Sequence, residues 1–167
     1  VDGPGPLRDR GLPQDVSVSI PAGYALYNVL THEAVEATPQ GDRVTFSLHL
    51  ESGAAAVIAC LPEPIARLDV AAPATMEVGT AADITLSVVG SDGRPLAGRH
   101  LVELALRGPG ATDSDAPWLG LQRYQRLVDG RCTVALRLPG TMERGTWQLT
   151  ARDWLSGQTV IRDIEVK

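Results

Sequence analysis

Aromatic side chains are scarce in this chain of 167 residues, which contains three Trp, three Tyr and one Phe. A hydrophobic core must therefore be built mainly from Val, Leu, Ile and Ala. The hydrophobic content of 44% and the charged content of 21% lie in the globular range, which excludes wholesale disorder. The scarcity of aromatics thus constrains the core without preventing a fold.

Basic charge is also in short supply. The chain has 15 Lys and Arg against 20 Asp and Glu, for a formal net charge of −5. With no basic stripe to neutralise phosphates, the sequence predicts no nucleic-acid partner. The longest apolar run, Ala54 to Leu61, is far shorter than the roughly 20 residues that cross a bilayer, so we expect no membrane segment.

Paired metal ligands are missing as well. His32, His49 and His100 have no His or Cys partner at metal-binding spacing, so we expect no metal site. His49 and His100 lie on or beside strands, where a solvent-facing side chain is the simpler interpretation. Asp113 and Asp115 are spaced like ligands of a cation loop but lack the glycine and distal Glu that complete it.

Recognisable catalytic motifs and cofactor-binding loops are absent too. Most of the 20 acids lie in turns or on polar strand faces, where solubility explains them. The sequence therefore predicts no cofactor and no enzymatic activity of the chain itself. Cys60 and Cys132 lie in apolar, strand-like contexts where buried free thiols are common, and the sequence leaves open whether they form a disulfide.

What the sequence does contain is a series of short strands separated by Gly and Pro turns, without a helical period. Residues 1–14 are rich in Pro and Gly and predict a linker or tail. Residues 15–64 predict a small antiparallel β unit, and the boundary falls at Pro62-Glu63-Pro64. Residues 65–167 predict an immunoglobulin-like β-sandwich of about seven strands. The fold class is therefore all-β.

Alternation assigns faces to several of these strands. In the first unit, the predicted strands include 15–20, 43–50 and an apolar run at 53–61. This run is interpreted as a strand buried on both faces, with a helix as the alternative because of its alanines. In the second unit, Ile84, Leu86 and Val88 point inward, and Asp129-Gly130 predicts a tight hairpin turn. Further predicted strands in the second unit span residues 100–106, 119–128, 131–138, 147–152 and 158–166.

Two tryptophans lie seven residues apart near the end of the chain. Trp147 shares its face with Leu149 and Ala151, so it is predicted to lie in the core rather than on a sugar-binding platform. Trp154 lies beside the Ser156-Gly157 turn and is predicted to cover one end of the sandwich with one edge wet. Trp118 is the best candidate for an exposed aromatic.

The second unit resembles the bacterial immunoglobulin-like and macroglobulin-like modules of large secreted or envelope proteins. The resemblance covers Ile65 to Lys167. The residues that carry it are the turn residues Gly93, Pro95 and Gly98, followed by Gly145, Thr146, Trp147, Asp153, Ser156 and Gly157. The segment from Tyr24 to Pro62 resembles the small C-terminal β unit of some bacterial glycoside hydrolases, with Asn28 in place of that family's Asp.

These resemblances imply an accessory, structural region from the C-terminal part of a larger secreted or periplasmic bacterial protein, a glycoside hydrolase. The chain begins without an initiator Met, so either a signal has been removed or the chain is a piece of a larger protein, and we favour the second interpretation. Its partners are then the neighbouring domains of the parent chain. One alternative is a carbohydrate-binding module that contacts a polysaccharide through Trp118, Tyr124 and Trp154. A third hypothesis is a hydrolase in its own right, which requires a concave pocket with convergent acids.

Overall fold

The computed structural model describes residues 12–112, 116–118, 120–121 and 123–167. Most of the predicted tail, as well as Asp113 and Asp115, therefore lies outside the described residues. The fold divides into two compact units, of which the first ends at Pro64 and the second runs from Ile65 to Lys167. Every regular element in the described part of the chain is a β-strand, which confirms the all-β class.

The first unit contains six strands in two three-stranded antiparallel sheets. One sheet has the order β1-β5-β4 and the other the order β3-β2-β6. The strands are β1 (Gln14–Pro21), β2 (Ala25–Asn28), β3 (Glu33–Ala34), β4 (Thr38–Gln40), β5 (Arg43–Leu50) and β6 (Ile58–Leu61).

Alternation correctly predicted the longest pair in this unit. β1 pairs with β5 over their full length, from Gln14 opposite Leu50 to Pro21 opposite Arg43. Val16, Val18 and Ile20 are half-buried while the serines between them are exposed, because successive side chains of a strand point to opposite faces.

The prediction of a doubly buried strand over residues 53–61 is wrong. Only Ile58–Leu61 form a strand, and none of its residues is fully buried. Val57 is 53% exposed. The small alanines at 54–56 supply little apolar area and have weak β-propensity, so an apolar run of this composition does not by itself produce a core strand.

The second unit contains eight strands, close to the predicted number of about seven. The order in its sheet is β7-β9-β12-β11-β10-β13-β14-β8. The strands are β7 (Ile65–Ala71), β8 (Thr75–Met76), β9 (Ala81–Gly90), β10 (Arg99–Arg107), β11 (Tyr124–Val128), β12 (Arg131–Arg137), β13 (Gly145–Asp153) and β14 (Thr159–Val166).

This sheet curls into a sandwich-like fold. β11 and β12 are joined through a single pair, Val128 opposite Arg131. At this point the sheet divides into two parts, β7-β9-β12 and β11-β10-β13-β14-β8, which we call its layers. At the other side, Arg162 Nε donates to Val70 O at 3.3 Å, which ties β14 to β7. Among the described residues, no helix is long and apolar enough to cross a membrane.

The core lies between the two layers and is almost entirely aliphatic. Ile84, Leu86 and Val88 are completely buried, as predicted. Facing side chains come from β10, β12, β13 and β14, and those with at most 1% exposure are Val102, Leu104, Leu106, Leu136, Leu149, Ala151 and Ile164. The turn at Asp129-Gly130 also forms as predicted, with φ values of 49° and 68° that suit a two-residue hairpin.

Candidate functional site

The outer face of β10, β13 and β14 carries a shallow cavity of about 210 Å³. Its floor is made where Ala105 of β10 lies directly opposite Thr150 of β13. Longer side chains surround this floor: Glu103 and Arg107 lie two positions to either side on β10, and Arg152 lies two positions along β13. Two short side chains that lie opposite each other on a sheet face leave a depression when the side chains around them are long.

Glu103 is held at one side of this cavity by an ion pair. Arg123 places Nη2 at 2.5 Å and Nε at 2.6 Å from Glu103 Oε1. This hydrogen bond raises the pKa of Arg123, and the guanidinium carbon also lies 5.2 Å from the ring centroid of Tyr124. Glu103 is therefore already matched by a positive charge within the protein.

Arg152 lies opposite Glu103 in the register of β10 and β13 and is half-buried. Within the described residues its guanidinium makes no hydrogen bond or ion pair. Thr159 is its neighbour on β14. Thr150 adds a buried hydroxyl, Oγ1, without a hydrogen-bond partner among the described residues. Thr159 Oγ1 donates to Gly157 O at 3.3 Å, so the polar groups without a partner among the described residues are the Arg152 guanidinium and the Thr150 hydroxyl.

Two of the three aromatic residues that were candidates for carbohydrate binding lie together beside this cavity. Tyr124 lies opposite Glu103, is 39% exposed, and its ring centroid is 5.6 Å from that of Trp154. The two ring planes meet at 85°, so they form an edge-to-face pair rather than one flat platform.

Trp118 lies beside the far end of β10, where its backbone N–H donates to Leu106 O at 2.7 Å. Tyr124 pairs with Glu103 of the same strand. Leu106 and Glu103 are three residues apart, which is roughly 10 Å along a strand. Its indole is half-buried and lies over Gly120, where an added Cβ would come within 2.1 Å of the ring. The structure therefore brings Tyr124 and Trp154 together and leaves Trp118 apart.

Trp147 lies in the core, as the alternation of apolar and polar residues in its strand predicted. Its side chain is only 7% exposed, and Nε1 donates to Glu143 O at 2.8 Å, which satisfies the one polar atom of the indole. Asp153, at the end of the same inward face, is completely buried. Its Oδ2 accepts hydrogen bonds from Ser156 N and Oγ at 2.7 and 2.6 Å, which closes the turn between β13 and β14.

The prediction that both strand histidines face solvent is half wrong. His100 is 2% exposed, and its Nε2 lies 3.1 Å from Leu96 O. Alternation within β10 places His100 on the inward face with Val102, a signal available in the sequence. His49 is exposed as predicted, and its Nδ1 lies 2.8 Å from Asp15 Oδ1.

The two cysteines are free. Cys60 is exposed, contrary to the expectation of a buried thiol, because β6 contributes little to a core. Cys132 is half-buried, and burial raises the pKa of its thiol. Within the described ranges, no group of three or more His, Cys, Asp or Glu is placed to hold a metal ion.

Sequence reasoning missed Arg107, Arg152, Thr150 and Thr159 as cavity residues. Each lies on an outward strand face that alternation identifies, but their juxtaposition depends on how β10, β13 and β14 are aligned. The only local signal was the small residue Ala105 between Glu103 and Arg107.

No family model matches the chain, and no curated protein sequence matches it. Similar solved structures include the superoxide reductase (neelaredoxin) from Ignicoccus hospitalis, which is 17% identical with a TM-score of 0.40, over 60% of this chain and 80% of that one. They also include a beta-glucosidase from Listeria innocua, 16% identical with a TM-score of 0.38. That match covers 60% of this chain but only 16% of the beta-glucosidase. At these TM-scores we transfer no function from either protein.

The prediction that this chain itself is not an enzyme does not stand. It rested on the absence of a recognisable motif alone, and the solved structures similar to the chain include that of an enzyme, the superoxide reductase. The prediction took the absence of a recognisable catalytic motif as evidence that the chain has no catalytic groups. That inference fails, because strand pairing can bring together reactive groups that are far apart in the sequence.

Proposed function

We propose that this chain is an accessory region of a larger secreted or envelope bacterial protein, and that it packs against a neighbouring domain of that protein. We propose further that the second unit is an immunoglobulin-like sandwich, and the division of its curled sheet at the single β11–β12 pair supports this proposal. The resemblance of the segment from Tyr24 to Pro62 to a C-terminal β unit supports a glycoside hydrolase as the parent protein.

The observation that carries this proposal is the small core of the first unit. Its buried apolar side chains, among the described residues, are Leu26, Tyr27 and Phe46, each 4–5% exposed. Units of about 60 residues bury little surface and are marginally stable alone. A unit with so few buried side chains gains stability when a neighbour covers its apolar surface.

Such a surface is present at one end of β2 and β6. Leu30 is 60% exposed and Val57 is 53% exposed, and the two lie close because Val29 N donates to Val57 O at 2.9 Å. Exposed apolar side chains that adjoin one another mark interaction surfaces more often than isolated ones do. We assign the contact with the neighbouring domain to Leu30 and Val57.

The test compares two valines of equal exposure in the intact parent protein. Val57→Asp places a charge in the proposed contact, whereas Val128→Asp, also at a residue 53% exposed, places one on the second unit. Calorimetry should show a lower Tm for Val57→Asp in the intact protein and little change for Val128→Asp. In the 167-residue chain alone, both variants should unfold like the wild type. Equal Tm values for the two variants in the intact protein would refute the contact.

A second candidate function is carbohydrate binding at the outer face of β10, β11 and β13. It is favoured by the contact between Tyr124 and Trp154 beside a polar cavity, because sugar sites combine an aromatic surface with convergent polar groups. Affinity electrophoresis on a panel of polysaccharides tests it. Retardation that disappears in Tyr124→Ala and persists in Trp118→Ala supports this face, and no retardation on any polysaccharide counts against it.

A further inference from the structure

β1 is an edge strand of the first unit. Among the described residues, no strand pairs with the side of β1 that faces away from β5. Continuing the β1–β5 register places Ala22 opposite Asp42, and Ala22 N donates to Asp42 O at 2.9 Å. Since hydrogen-bonded and non-hydrogen-bonded pairs alternate in an antiparallel ladder, Asp15, Ser17 and Ser19 direct their backbone N–H and C=O groups away from β5. Such a row of outward groups is a template for pairing with another strand.

The two ends of this free edge have opposite charges. Arg43 Nη2 donates to Ser19 O at 2.6 Å, and Arg43 Nε donates to Ser19 Oγ at 2.8 Å, so the guanidinium lies at the edge beside Ser19. Asp15 lies four residues away on the same edge with its side chain 85% exposed, and its Oδ1 is 2.8 Å from His49 Nδ1. A strand that is negative at one end and positive at the other is complementary to an antiparallel copy of itself.

Two prolines favour one register for such a copy. Pro13 and Pro21 flank the outward-facing residues, and proline has no N–H to donate. Placing Ser17 opposite Ser17 of the second copy pairs Asp15 with Ser19 at both ends, which makes three complete hydrogen-bonded pairs, and puts each proline opposite a proline beyond them. A shift of two residues in either direction leaves two complete pairs and places a proline opposite Ser19 or Asp15.

We propose that two copies of this chain associate through antiparallel pairing of β1 with β1 around a two-fold axis at Ser17. The pairing joins their three-stranded sheets into one continuous sheet. Asp15 of each copy then lies opposite Ser19 of the other, roughly 5 Å away, where the Arg43 guanidinium is already held. Two ion pairs between the copies follow. Ser19 O has two lone pairs, so it accepts the Asp15 N–H of the second copy beside its bond from Arg43.

The apolar face of β1 favours the same partner. Val16, Val18 and Ile20 are half-buried, so the first unit leaves part of each side chain uncovered. In the proposed register, Val16 of each copy lies opposite Val18 of the other in a non-hydrogen-bonded pair, where side chains lie closest. One strand pair buries less than the roughly 1,200–2,000 Å² of a stable interface, so the dimer is weak and its population depends on concentration.

Sedimentation equilibrium of the 167-residue chain tests the proposal. The wild type should change from monomer to dimer between about 10 µM and 1 mM, a range that suits a small interface. Asp15→Arg and Arg43→Asp each place like charges together at both contacts of their homodimers, so each variant alone should dimerise at least about tenfold more weakly. An equal mixture of the two variants should recover the dimer, because the heterodimer has opposite charges at both contacts.

Two further variants serve as controls. Glu36→Arg makes the same charge change as Asp15→Arg at an exposed position just before β4, at the other edge of the sheet, and should change dimerisation by less than about twofold because distant charges are screened. Ser17→Pro removes the central outward N–H and should abolish the dimer, while edge strands tolerate proline where the N–H faces solvent. Thermal unfolding close to that of the wild type checks that each variant is folded.

Each outcome supports or overturns the proposal. A wild-type chain that stays monomeric throughout this concentration range overturns it. A dimer that persists in Ser17→Pro overturns the assignment to β1. A mixture of Asp15→Arg and Arg43→Asp that is no more dimeric than either variant alone overturns the register. An equal loss in Glu36→Arg attributes the effect to net charge and overturns the two ion pairs.

Discussion

Replacing Gly130 by alanine should destabilise the second unit far more than the same replacement at Gly93. Both glycines have positive φ, +68° and +80°. At Gly93 an added Cβ meets nothing within 4 Å. At Gly130 it would lie 2.6 Å from the backbone N and O of Leu96 and 2.8 Å from Val88 O. The pair therefore separates the cost of the backbone conformation from the cost of the clash.

The magnitudes follow from these contacts. A non-glycine residue in the left-handed region costs about 1–2 kcal/mol, and this is the whole cost expected for Gly93→Ala. For Gly130→Ala the backbone must also shift, which adds about 1–3 kcal/mol as overpacking. The atoms that shift include Leu96 N and Val88 O, which are hydrogen-bonded at 2.8 Å, and weakening that bond adds about 0.5–1.5 kcal/mol. We expect a total of about 2.5–6.5 kcal/mol for Gly130→Ala.

Tryptophan fluorescence during urea unfolding measures this difference selectively, because Trp118, Trp147 and Trp154 all belong to the second unit. A difference of about 2 kcal/mol or more between the two variants corresponds to at least about 8 °C in Tm for a domain of roughly 100 residues. If the two variants unfold within about 0.5 kcal/mol of each other, the close packing of the β11–β12 turn against the segment around Leu96 is refuted.

Two further predictions concern titratable side chains. The hydrogen bond that the protonated His49 ring donates to Asp15, the largest cause, raises the pKa of His49 above 6.5. Its stabilising contribution is therefore fully present below pH 6.5 and is lost as the pH rises through the raised pKa. NMR titration of the His49 ring should show the raised pKa, and Asp15→Asn should return it toward 6.5. A disulfide reagent at pH 8 should modify the exposed Cys60 quickly and Cys132 slowly. Burial raises the pKa of the Cys132 thiol, and the thiolate is the form that reacts. A fast phase of modification that survives in Cys60→Ser would contradict this order.

The sequence predicted the strands best where apolar and polar residues alternate. The strand from Arg43 to Leu50 has the predicted bounds, and the inward faces of β9 and β13 are those that the pattern indicated, Trp147 included. Alternation is reliable there because a one-residue shift would expose every apolar side chain of the strand. It failed at residues 53–61, where a run of alanines carries no period and little apolar area.

His100 shows a different failure. Its residue type suggested the surface, whereas its position in β10 places it among inward-facing leucines and valines. Packing decided the outcome because one buried hydrogen bond, from the ring Nε2 to Leu96 O, offsets part of the cost of removing the imidazole from water.

The candidate site could not be predicted, because alternation determines the face of a side chain but not its neighbours on the adjacent strand. Glu103, Ala105 and Arg107 were recognisable as the outward face of one strand, and Thr150 and Arg152 as that of another. Only the register, with Ala105 opposite Thr150, puts two short side chains together and makes a cavity. A shift of β13 by two residues keeps every apolar side chain inward, yet it places Arg152 or Gln148 opposite Ala105 and fills the floor. The core therefore selects the faces, whereas the turns and pairings that fix the register determine whether this face can bind a ligand.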